Sequence, residues 1–475
     1  MQTPLTAQYQ PIPLPVQPDV SDFRALRKPY QAMIVAQFRA IVDRSEAGPL
    51  YPWLDTRLDL ITGADLPPAD PRFGPGLVSG WVQGRGLEGL ATFGAWLGAW
   101  AGSREADALL GRVRRLTAAL LAQFRAARAQ YGGHLYFTML PDGMPITVDE
   151  RQRQLRVAMG PDTPHNYSDL FAAKAMLAAA YFLGNEIALD EARAYCRAVY
   201  EDILSLRFRT DQPQPAGLAS VVSTAGGYAH GPHMIALGMA THFACQEPGP
   251  ASVEMGLRLA RRVLYAHVNL AGRWPALRPN DLVEFITAEG GPHVDEAGRV
   301  IADPGHALEF VGLFLKFCAV VRQGGSITPE QLGEMAHLEG LMLPVLLRAF
   351  DNGFQPSLGG IRKSLDLLTL QSIDDTMPWW SLPETIRAGL AAAAISSTMD
   401  DLAACLSIAA QCHNAFVENY VRPDIHLMAI KLRDGAGRVS SMVPAYPDAD
   451  PGYHTALSLI DALESLKVLE ARAGR

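Results

Sequence analysis

Hydrophobic positions recur about every 3.6 residues along most of the chain, which is the period of an α-helix with a buried face. The pattern predicts about twelve helices. Two stretches, Phe171–Leu183 and Ile395–Ala410, are apolar on more than one face, as expected of helices packed on both sides. The predicted helices are Phe23–Arg44, Arg85–Gly102, Glu105–Gln130, Ser168–Leu183, Leu189–Leu206, His233–Cys245, Ala251–Leu270, Gly305–Arg322, Thr328–Phe350, Glu384–Ala394, Ser397–Val417 and His454–Ala473.

Short strand-like runs fall between the helices, and three of them resemble one another. Each has residues typical of strands around an Asp-Gly or Gly-Gly pair, which favours a tight β-hairpin turn. The three hairpins are predicted at Tyr131–Tyr136 with Asp142-Gly143, at Asn352–Phe354 with Gly359-Gly360, and at Ile430–Gly435.

Helices joined in pairs, with hairpins recurring at one end, predict an all-α fold. We expect an (α/α)6 barrel, in which six inner helices lie inside six outer ones. Residues 1–22 are predicted to form an extended N-terminal arm, and residues 23–475 a single barrel domain. A helical-repeat solenoid is the rival architecture, but the short-period sequence repeat that it requires is absent.

Composition and charge restrict the class of partner. The 475 residues are 49% hydrophobic and 19% charged, which is typical of a globular protein, and the formal net charge is −8. No run of Lys and Arg is present, which argues against a nucleic acid or an anionic membrane as partner. The longest apolar stretch, Gly89–Gly102, is shorter than the roughly 20 residues of a membrane span. A small-molecule ligand is therefore expected.

The five cysteines are scattered and include no Cys-x-x-Cys pair, as expected of reduced core thiols. The first twenty residues have neither the basic nor the apolar region of a signal peptide. Together these features predict a soluble, cytoplasmic protein. The broad apolar helix faces are compatible with a homodimer.

The run Gly84-x-Gly86-x-x-Gly89 matches the dinucleotide-binding fingerprint literally. A Rossmann unit needs a strand before this run and a second strand after its helix. Here the segment that follows, Glu105–Gln130, is again an amphipathic helix. We therefore interpret the three glycines as coincidence rather than as a nucleotide site.

Arg85 shares the start of one predicted helix with Trp81 and Gln83. An aromatic ring stacks on a sugar face while the guanidinium donates hydrogen bonds to hydroxyl groups, although most arginines pair with a surface carboxylate.

His306 and Glu309 lie three residues apart at the start of a very apolar helix, so they share a face. A carboxylate beside an imidazole fixes its tautomer for proton transfer; a capping His with a solvated Glu is the alternative.

Other histidines carry weaker signals. His454 follows Tyr453 at the start of the last helix, and His230 and His233 precede another. His230, His233, His306 and Glu309 together suggest a metal site, but neither a His-Glu-x-x-His motif nor a cysteine ligand set supports it.

In chain order these pieces resemble the motifs of the N-acylglucosamine 2-epimerase superfamily, which includes cellobiose 2-epimerases and mannose-type aldose–ketose isomerases. The similarity spans most of the chain from Trp81 onwards. The matching motifs are Trp81-x-Gln83-x-Arg85, Tyr167-x-x-x-Phe171, Pro304-Gly305-His306-x-x-Glu309, Trp379-Trp380-x-x-x-Glu384 and Tyr453-His454.

The resemblance implies an (α/α)6 barrel with its site at the hairpin end, and proton transfer at C2 of a sugar through a cis-enediolate without metal or cofactor. It makes His306 and His454 the acid/base pair, Glu309 the residue that orients His306, and Arg85 the donor to the enediolate oxygen. The remaining substrate-binding residues that it implies are Tyr167, His233, Trp379, Trp380 and Glu384.

Two departures from the family pattern are evident. Many relatives have Met-His-Leu-Leu-Glu on the central helix, where this chain has Ile235 and Gly238 in place of the His and Glu, and His233 is the expected substitute. The loops Asp211–Ala225 and Gly290–Asp303 are also long.

Two alternative functions therefore stay open. One is a glycoside hydrolase or lyase on the same toroid. The other is a non-catalytic carbohydrate-binding relative. The candidate carboxylates for the hydrolase are Glu309, Glu384, Asp374 and Asp375.

Overall fold

The computed structural model describes residues 12–48, 51–59, 62–65, 76–148, 153–212, 227–422, 424, 432–440 and 450–473. These residues form fourteen α-helices. The helices are α1 Val20–Ala25, α2 Arg27–Ala47, α3 Gly80–Gly98, α4 Arg104–Gln130, α5 Tyr167–Leu183, α6 Glu186–Leu204, α7 Gly231–Gln246, α8 Pro250–His267, α9 Pro304–Gly324, α10 Pro329–Gly340, α11 Met342–Gly353, α12 Ser381–Ile395, α13 Met399–Asn419 and α14 Ser458–Ala473.

Six helices form a closed inner ring. Helices α3, α5, α7, α9, α12 and α14 each contact the next, and a single π-helical turn, Tyr453–Leu457, closes the ring by packing α14 against α3. The other helices lie outside and pack on one or two inner ones, except α10, which packs on the outer helices α8 and α11. The predicted (α/α)6 barrel is therefore confirmed, with one continuous apolar core between the two layers.

One predicted helix, Thr328–Phe350, is two helices in the structure. The break lies at Leu341, which caps both α10 and α11. Pro344 explains it, because a proline has no N–H for the carbonyl four residues earlier, here that of Gly340, and its ring clashes with that carbonyl.

Short strands gather at the N-terminal end of the inner ring. Strands β1, β5, β7 and β12 lead directly into α3, α7, α9 and α12. The described strands are β1 Val78–Ser79, β2 Thr138–Met139, β3 Ile146–Val148, β4 Gln154–Arg156, β5 Tyr228–Ala229, β6 Phe285–Ile286, β7 Ile301–Ala302, β8 Phe354–Gln355, β9 Gly360–Ile361, β10 Ser364–Asp366, β11 Ser372–Asp374, β12 Met377–Pro378 and β13 Leu432–Arg433.

The predicted hairpin turns lie where the sequence indicated. The Asp142-Gly143 turn joins Met139 to Pro145, and the turn before Gly360 joins β8 to β9. In the third hairpin Arg433 pairs with Val439, while residues 430–431 lie outside the described part. Two further predicted segments, the Pro-rich loop 443–447 and most of the loop Asp211–Ala225, also lie outside it.

The glycines of the apparent nucleotide fingerprint serve helix packing. A Cβ on Gly84 would lie 2.8 Å from the Cβ of Phe171, and one on Gly89 would lie 3.1 Å from the carbonyl oxygen of Pro451. Helix α3 needs these positions small because α5 and the chain before α14 cross it closely. The three glycines thus belong to the inner ring.

The described part of the N-terminal arm is held against α13. The backbone of Leu14 exchanges two hydrogen bonds with the amide of Asn414. Helix α1 begins at Val20, so the arm ends a few residues before the predicted boundary at 22, and residues 1–11 lie outside the described part. Among the described helices, α9 is long and apolar enough to cross a membrane by composition, but 78% of that window is buried inside the ring.

Candidate active site

The first turns of the inner helices converge at the end of the ring that carries the strands. This end brings together the side chains that the sequence singled out on α3, α9, α12 and the π-helical turn. Two imidazoles, those of His306 and His454, lie against Trp380, with ring centroids 5.5 Å and 5.4 Å from that of the indole. The site therefore has two parts, a His306 side and a His454 side.

On the His306 side the imidazole is held by Glu284. Nδ1 of His306 lies 3.1 Å from Oε1 of Glu284 and 3.4 Å from Oδ2 of Asp303. Asp303 also caps α9 by accepting a hydrogen bond from the backbone N–H of His306. Lys363 pairs with Oδ2 of Asp303, the oxygen that also faces His306. The imidazole keeps 21% of its surface exposed and faces the mouth of the ring.

Glu284 is shared by a second imidazole that the sequence did not assign to the site. Nε2 of His230 lies 3.2 Å from Oε2 of Glu284, and both residues are buried. The backbone of Glu284 is fixed as well, since its carbonyl accepts from His230 and its N–H donates to Ile301. A signal existed in the sequence, because Glu284 is a lone carboxylate within an apolar strand-like run.

The carboxylates set the charge state on this side. Burial alone would lower the pKa of His306, but Asp303 and Glu284 outweigh it and hold that pKa above its ordinary value. Burial alone would raise the pKa of Glu284, but His306 and His230 keep it below its ordinary value. The His306 side therefore favours an imidazolium beside a carboxylate.

On the His454 side the imidazole is almost fully enclosed. Its Nδ1 lies 2.9 Å from Oε1 of Glu384, and the second oxygen of Glu384 pairs with Arg387. Asp450 fixes the π-helical turn by accepting hydrogen bonds from the backbone N–H groups of Gly452, Tyr453 and Thr455. A π-helical turn is rare and often lies at functional sites.

The environment of His454 shifts its charge state the other way. Burial, followed by the Arg85 guanidinium, lowers the pKa of His454 to about 3. Burial raises the pKa of Glu384 to about 7, although Arg387 opposes the change. The hydrogen-bonded pair therefore binds one proton only as the pH falls below about 7. Above that pH, His454 is neutral with a free Nε2.

The predicted role of Glu309 is wrong. Glu309 does not orient His306. It lies one turn deeper in α9, where Glu309, Glu384 and His454 each have one possible metal-ligand atom within 4.8 Å of the others. A second such group is His230, Glu284 and His306. By donor type both groups are able to hold a divalent cation. Of the other carboxylates proposed from the sequence, Asp374 is bonded locally to Thr376 instead.

Trp380, rather than Trp379, presents its ring to the site. Trp379 is buried and donates its Nε1–H to Thr455 at 3.3 Å. A Cβ on Gly305 would lie only 2.7 Å from Cη2 of Trp380. The glycine between Pro304 and His306 therefore makes room for the indole.

Arg85 reaches the site as an unpaired donor. Its guanidinium carbon lies 4.4 Å above the Phe171 ring and 5.6 Å from the Tyr453 ring, and its buried Nε has no hydrogen-bond partner among the described residues. Burial lowers the pKa of Arg85, against the opposing effects of Tyr453 and Glu309. The group therefore has donors left for a bound oxygen.

The neighbours of Arg85 in its motif have structural roles. Gln83 donates to the carbonyl of Leu54 and accepts from its N–H, so both the oxygen and the nitrogen of its side-chain amide are hydrogen-bonded. Trp81 donates to Asp211 at 3.0 Å and packs against the ring of Tyr167 at 5.1 Å. A Cβ on Gly231 would lie 2.7 Å from the Tyr167 hydroxyl, so that hydroxyl packs close to the start of α7.

The structure separates His233 from the other predicted site residues. It lines a cavity between α6 and α8, on the outside of the inner ring, and is not the expected substitute for the missing central histidine. Lys174 lies beside Gly238, the position at which many of the relatives have the glutamate. Nζ of Lys174 lies 3.3 Å from where a Cβ of Gly238 would be, pairs with Glu88 at 2.8 Å and donates to the Tyr453 hydroxyl at 2.5 Å.

Comparison of the sequence finds no matching protein family and no matching curated protein. The fold does match solved structures. A sugar epimerase from a ruminal bacterium has a TM-score of 0.63 at 14% identity, covering 91% of this chain and 98% of its own. Cellobiose 2-epimerase from Spirochaeta thermophila has a TM-score of 0.61 at 14% identity, covering 94% and 98%. A D-mannose isomerase has a TM-score of 0.57 at 13% identity, covering 90% and 97%. The chain thus has the fold of these carbohydrate epimerases and isomerases, as the resemblance implied.

Proposed function

We propose that the protein is a carbohydrate 2-epimerase or aldose–ketose isomerase. The observation that carries the proposal is the pair of imidazoles that both contact Trp380 and have pKa values shifted in opposite directions. Opposed shifts in two titratable groups of one site are typical of an acid and a base that act on the same substrate.

His454 is the base in this proposal. With Nδ1–H donated to the Glu384 carboxylate, its neutral ring has Nε2 free to remove the proton from C2 of an aldose. The electrons of the broken C–H bond form the C1–C2 double bond of a cis-enediolate, and the former carbonyl oxygen becomes the oxyanion. His306, protonated beside Glu284, returns a proton. Delivery to the opposite face of C2 gives the epimer. Delivery to C1, with the hydroxyl proton on O2 moving to O1, gives the ketose.

Arg85 stabilises the oxyanion in this scheme. Its unpaired guanidinium donors lie in a buried site, where a charge-assisted hydrogen bond is stronger than in water. Trp380 lies against both imidazoles and supplies an aromatic surface for the apolar face of a sugar.

The proposal includes two further expectations, a reaction without cofactor and a cytoplasmic location. Transfer of a proton between imidazole and carbon needs no redox group, and all five cysteines are free thiols, which supports a reducing compartment. We expect activity to survive dialysis against EDTA. Loss of activity that a divalent cation restores would overturn the cofactor-free expectation and point to one of the two His/Glu groups.

The test is proton NMR in deuterated water with mannose, glucose, fructose, N-acetylmannosamine, N-acetylglucosamine and cellobiose. We expect deuterium at C2 or C1 of one sugar, absent with His454→Ala and unchanged with His337→Ala, a control on the outer helix α10. Failure of every sugar to exchange would contradict the proposal. Cleavage of a glycosidic bond without exchange would favour the hydrolase alternative.

A further inference from the structure

The cavity that His233 lines is a second concave site, away from the His306 and His454 sides. It has a volume of about 440 Å³ and lies between outer helices α6 and α8, with the first turn of α7 as its floor. Small-molecule sites are typically of this size. Its lining residues are Leu204, Leu206, His233, Arg258, Arg261, Arg262, Tyr265 and Ala266.

The polar lining of this cavity is basic. Arg258, Arg261 and Arg262 have the spacing that places side chains on one face of α8. Arg261 pairs with Glu254 and with Glu334. Neither Arg258 nor Arg262 has a hydrogen bond or an ion pair to any residue that the structure describes. Two guanidinium groups of the lining therefore keep their donors available.

His233 adds a buried group without a partner. Its Nδ1 is fully buried and unbonded, the residue is only 4% exposed, and no described group bonds either ring nitrogen. Burial, followed by the charges of Arg262 and His230, lowers the pKa of His233 to about 3. An unsatisfied buried donor or acceptor is costly in a native protein, and a bound ligand is one way to satisfy it.

We propose that this cavity binds the phosphate group of a small organic phosphate. Guanidinium forks suit phosphate oxygens geometrically, and Arg258 and Arg262 carry the unpaired charge for it. Leu204, Leu206 and Ala266 form an apolar wall for the organic part, since the volume greatly exceeds that of a bare phosphate ion. A dianion near His233 also raises the pKa of its imidazole, so the ring becomes a further donor.

The cavity is close enough to the active site for one ligand to affect the other. His233 and His230 are one turn apart at the start of α7, and His230 binds Glu284, which holds His306. An effect of phosphate on sugar turnover would have to be matched by an effect of sugar on phosphate affinity. Binding itself does not depend on the proposed catalytic function.

The test is isothermal titration calorimetry at low ionic strength with glucose 6-phosphate, inorganic phosphate and glucose. We expect glucose 6-phosphate to bind, and the double variant Arg258→Gln/Arg262→Gln to weaken it by at least roughly tenfold, because charged hydrogen bonds are lost. Arg115→Gln, on the exposed face of α4, is the matched control and should leave binding unchanged. Double replacement by Lys should retain part of the affinity.

The outcomes separate the two sites. Binding of inorganic phosphate that the same double variant abolishes supports recognition of the phosphate group. Binding that survives in the double variant but is lost in His306→Ala would place the phosphate in the active site and overturn the proposal. No heat with either phosphate at millimolar concentration would also overturn it. A thermal denaturation midpoint equal to that of the unmodified protein shows that the double variant is folded, whether or not the protein turns over a sugar.

Discussion

The two histidine sides of the site contain the same chemical pair, an imidazole bonded through Nδ1 to a glutamate, and yet differ in charge state. The His306 side has two carboxylates, those of Glu284 and Asp303, at a partly open mouth, and the pKa of its imidazole is raised. The His454 side is enclosed and lies beside Arg85 and Arg387, and the pKa of its imidazole is lowered.

The role of each histidine therefore comes from its surroundings. Excess negative charge near His306 retains a proton, while burial and positive charge near His454 expel one. The sequence motifs identify His306 and His454, but they do not show which of the two acts as the acid. The predictions below test this asymmetry.

The largest effect is expected from removing each imidazole. His454→Ala should lower kcat by roughly a thousandfold and abolish deuterium entry for the sugar whose C2 hydrogen faces His454. His306→Ala should lower conversion similarly but retain that exchange, because the base remains. Deuterium incorporation measured beside product formation checks both. Equal loss of exchange in the two variants would mean that the sides are not divided into base and acid.

Removing the carboxylates should have the next largest effect, roughly 10- to 100-fold in kcat, because orientation and charge are lost while the imidazoles stay. Glu284→Gln removes a charge that raises the pKa of His306, so the alkaline limb of activity should move to lower pH. Glu384→Gln removes the group that binds a proton near pH 7, so the acid limb should also move to lower pH. Glu309→Gln should leave the alkaline limb in place, which separates it from Glu284.

In the unmodified protein, kcat/KM should follow a bell-shaped pH profile. Activity rises through about pH 7 as the His454–Glu384 pair loses its proton and Nε2 becomes free. It falls at higher pH as His306 loses the proton that it donates, and this limb should lie above the ordinary histidine pKa because Asp303 and Glu284 raise it. An alkaline limb at or below pH 6.5, the ordinary value for histidine, would contradict the assignment of His306 as the acid.

The smallest effect concerns Trp380, which contacts the imidazoles of both sides. Gly305→Ala places a methyl carbon only 2.7 Å from Cη2 of Trp380, so the indole must move. We expect KM to rise severalfold, kcat to change less, and unfolding to become easier by about 1–3 kcal/mol from overpacking. Thermal denaturation and steady-state kinetics check this. Gly333→Ala, on α10 with open space around it, is the control.

Much of the architecture was predictable from local pattern. Helical periodicity and Asp-Gly turns depend on residues that are close in sequence. The ring of helices could therefore be predicted, and so could the positions of His306, His454 and Arg85 near helix starts. The split at Leu341 was also readable, because Pro344 cannot continue a helix. The prediction failed there only because the apolar period continues across the break.

The pairing of side chains was not predictable in the same way. Sequence spacing linked His306 to Glu309, but a side chain in the first turn of a helix tilts toward its N-terminus and reaches beyond the helix end. His306 therefore meets Glu284 from a loop at the mouth, while Glu309, one turn deeper, faces the centre of the ring with His454. His233 was misplaced for a similar reason, since α7 turns it toward α8 while His230 faces Glu284.

The sequence alone determined the helices, their turns and which residue types were available for proton transfer, because these depend on interactions within a few residues. Packing between distant segments sets which carboxylate holds which imidazole and how deeply each pair is buried. Those two factors fix the pKa values, since charge interactions and desolvation depend on distances between segments far apart in the chain. The same holds for the basic cavity, where α8 supplies the arginines and α7 the unpartnered histidine.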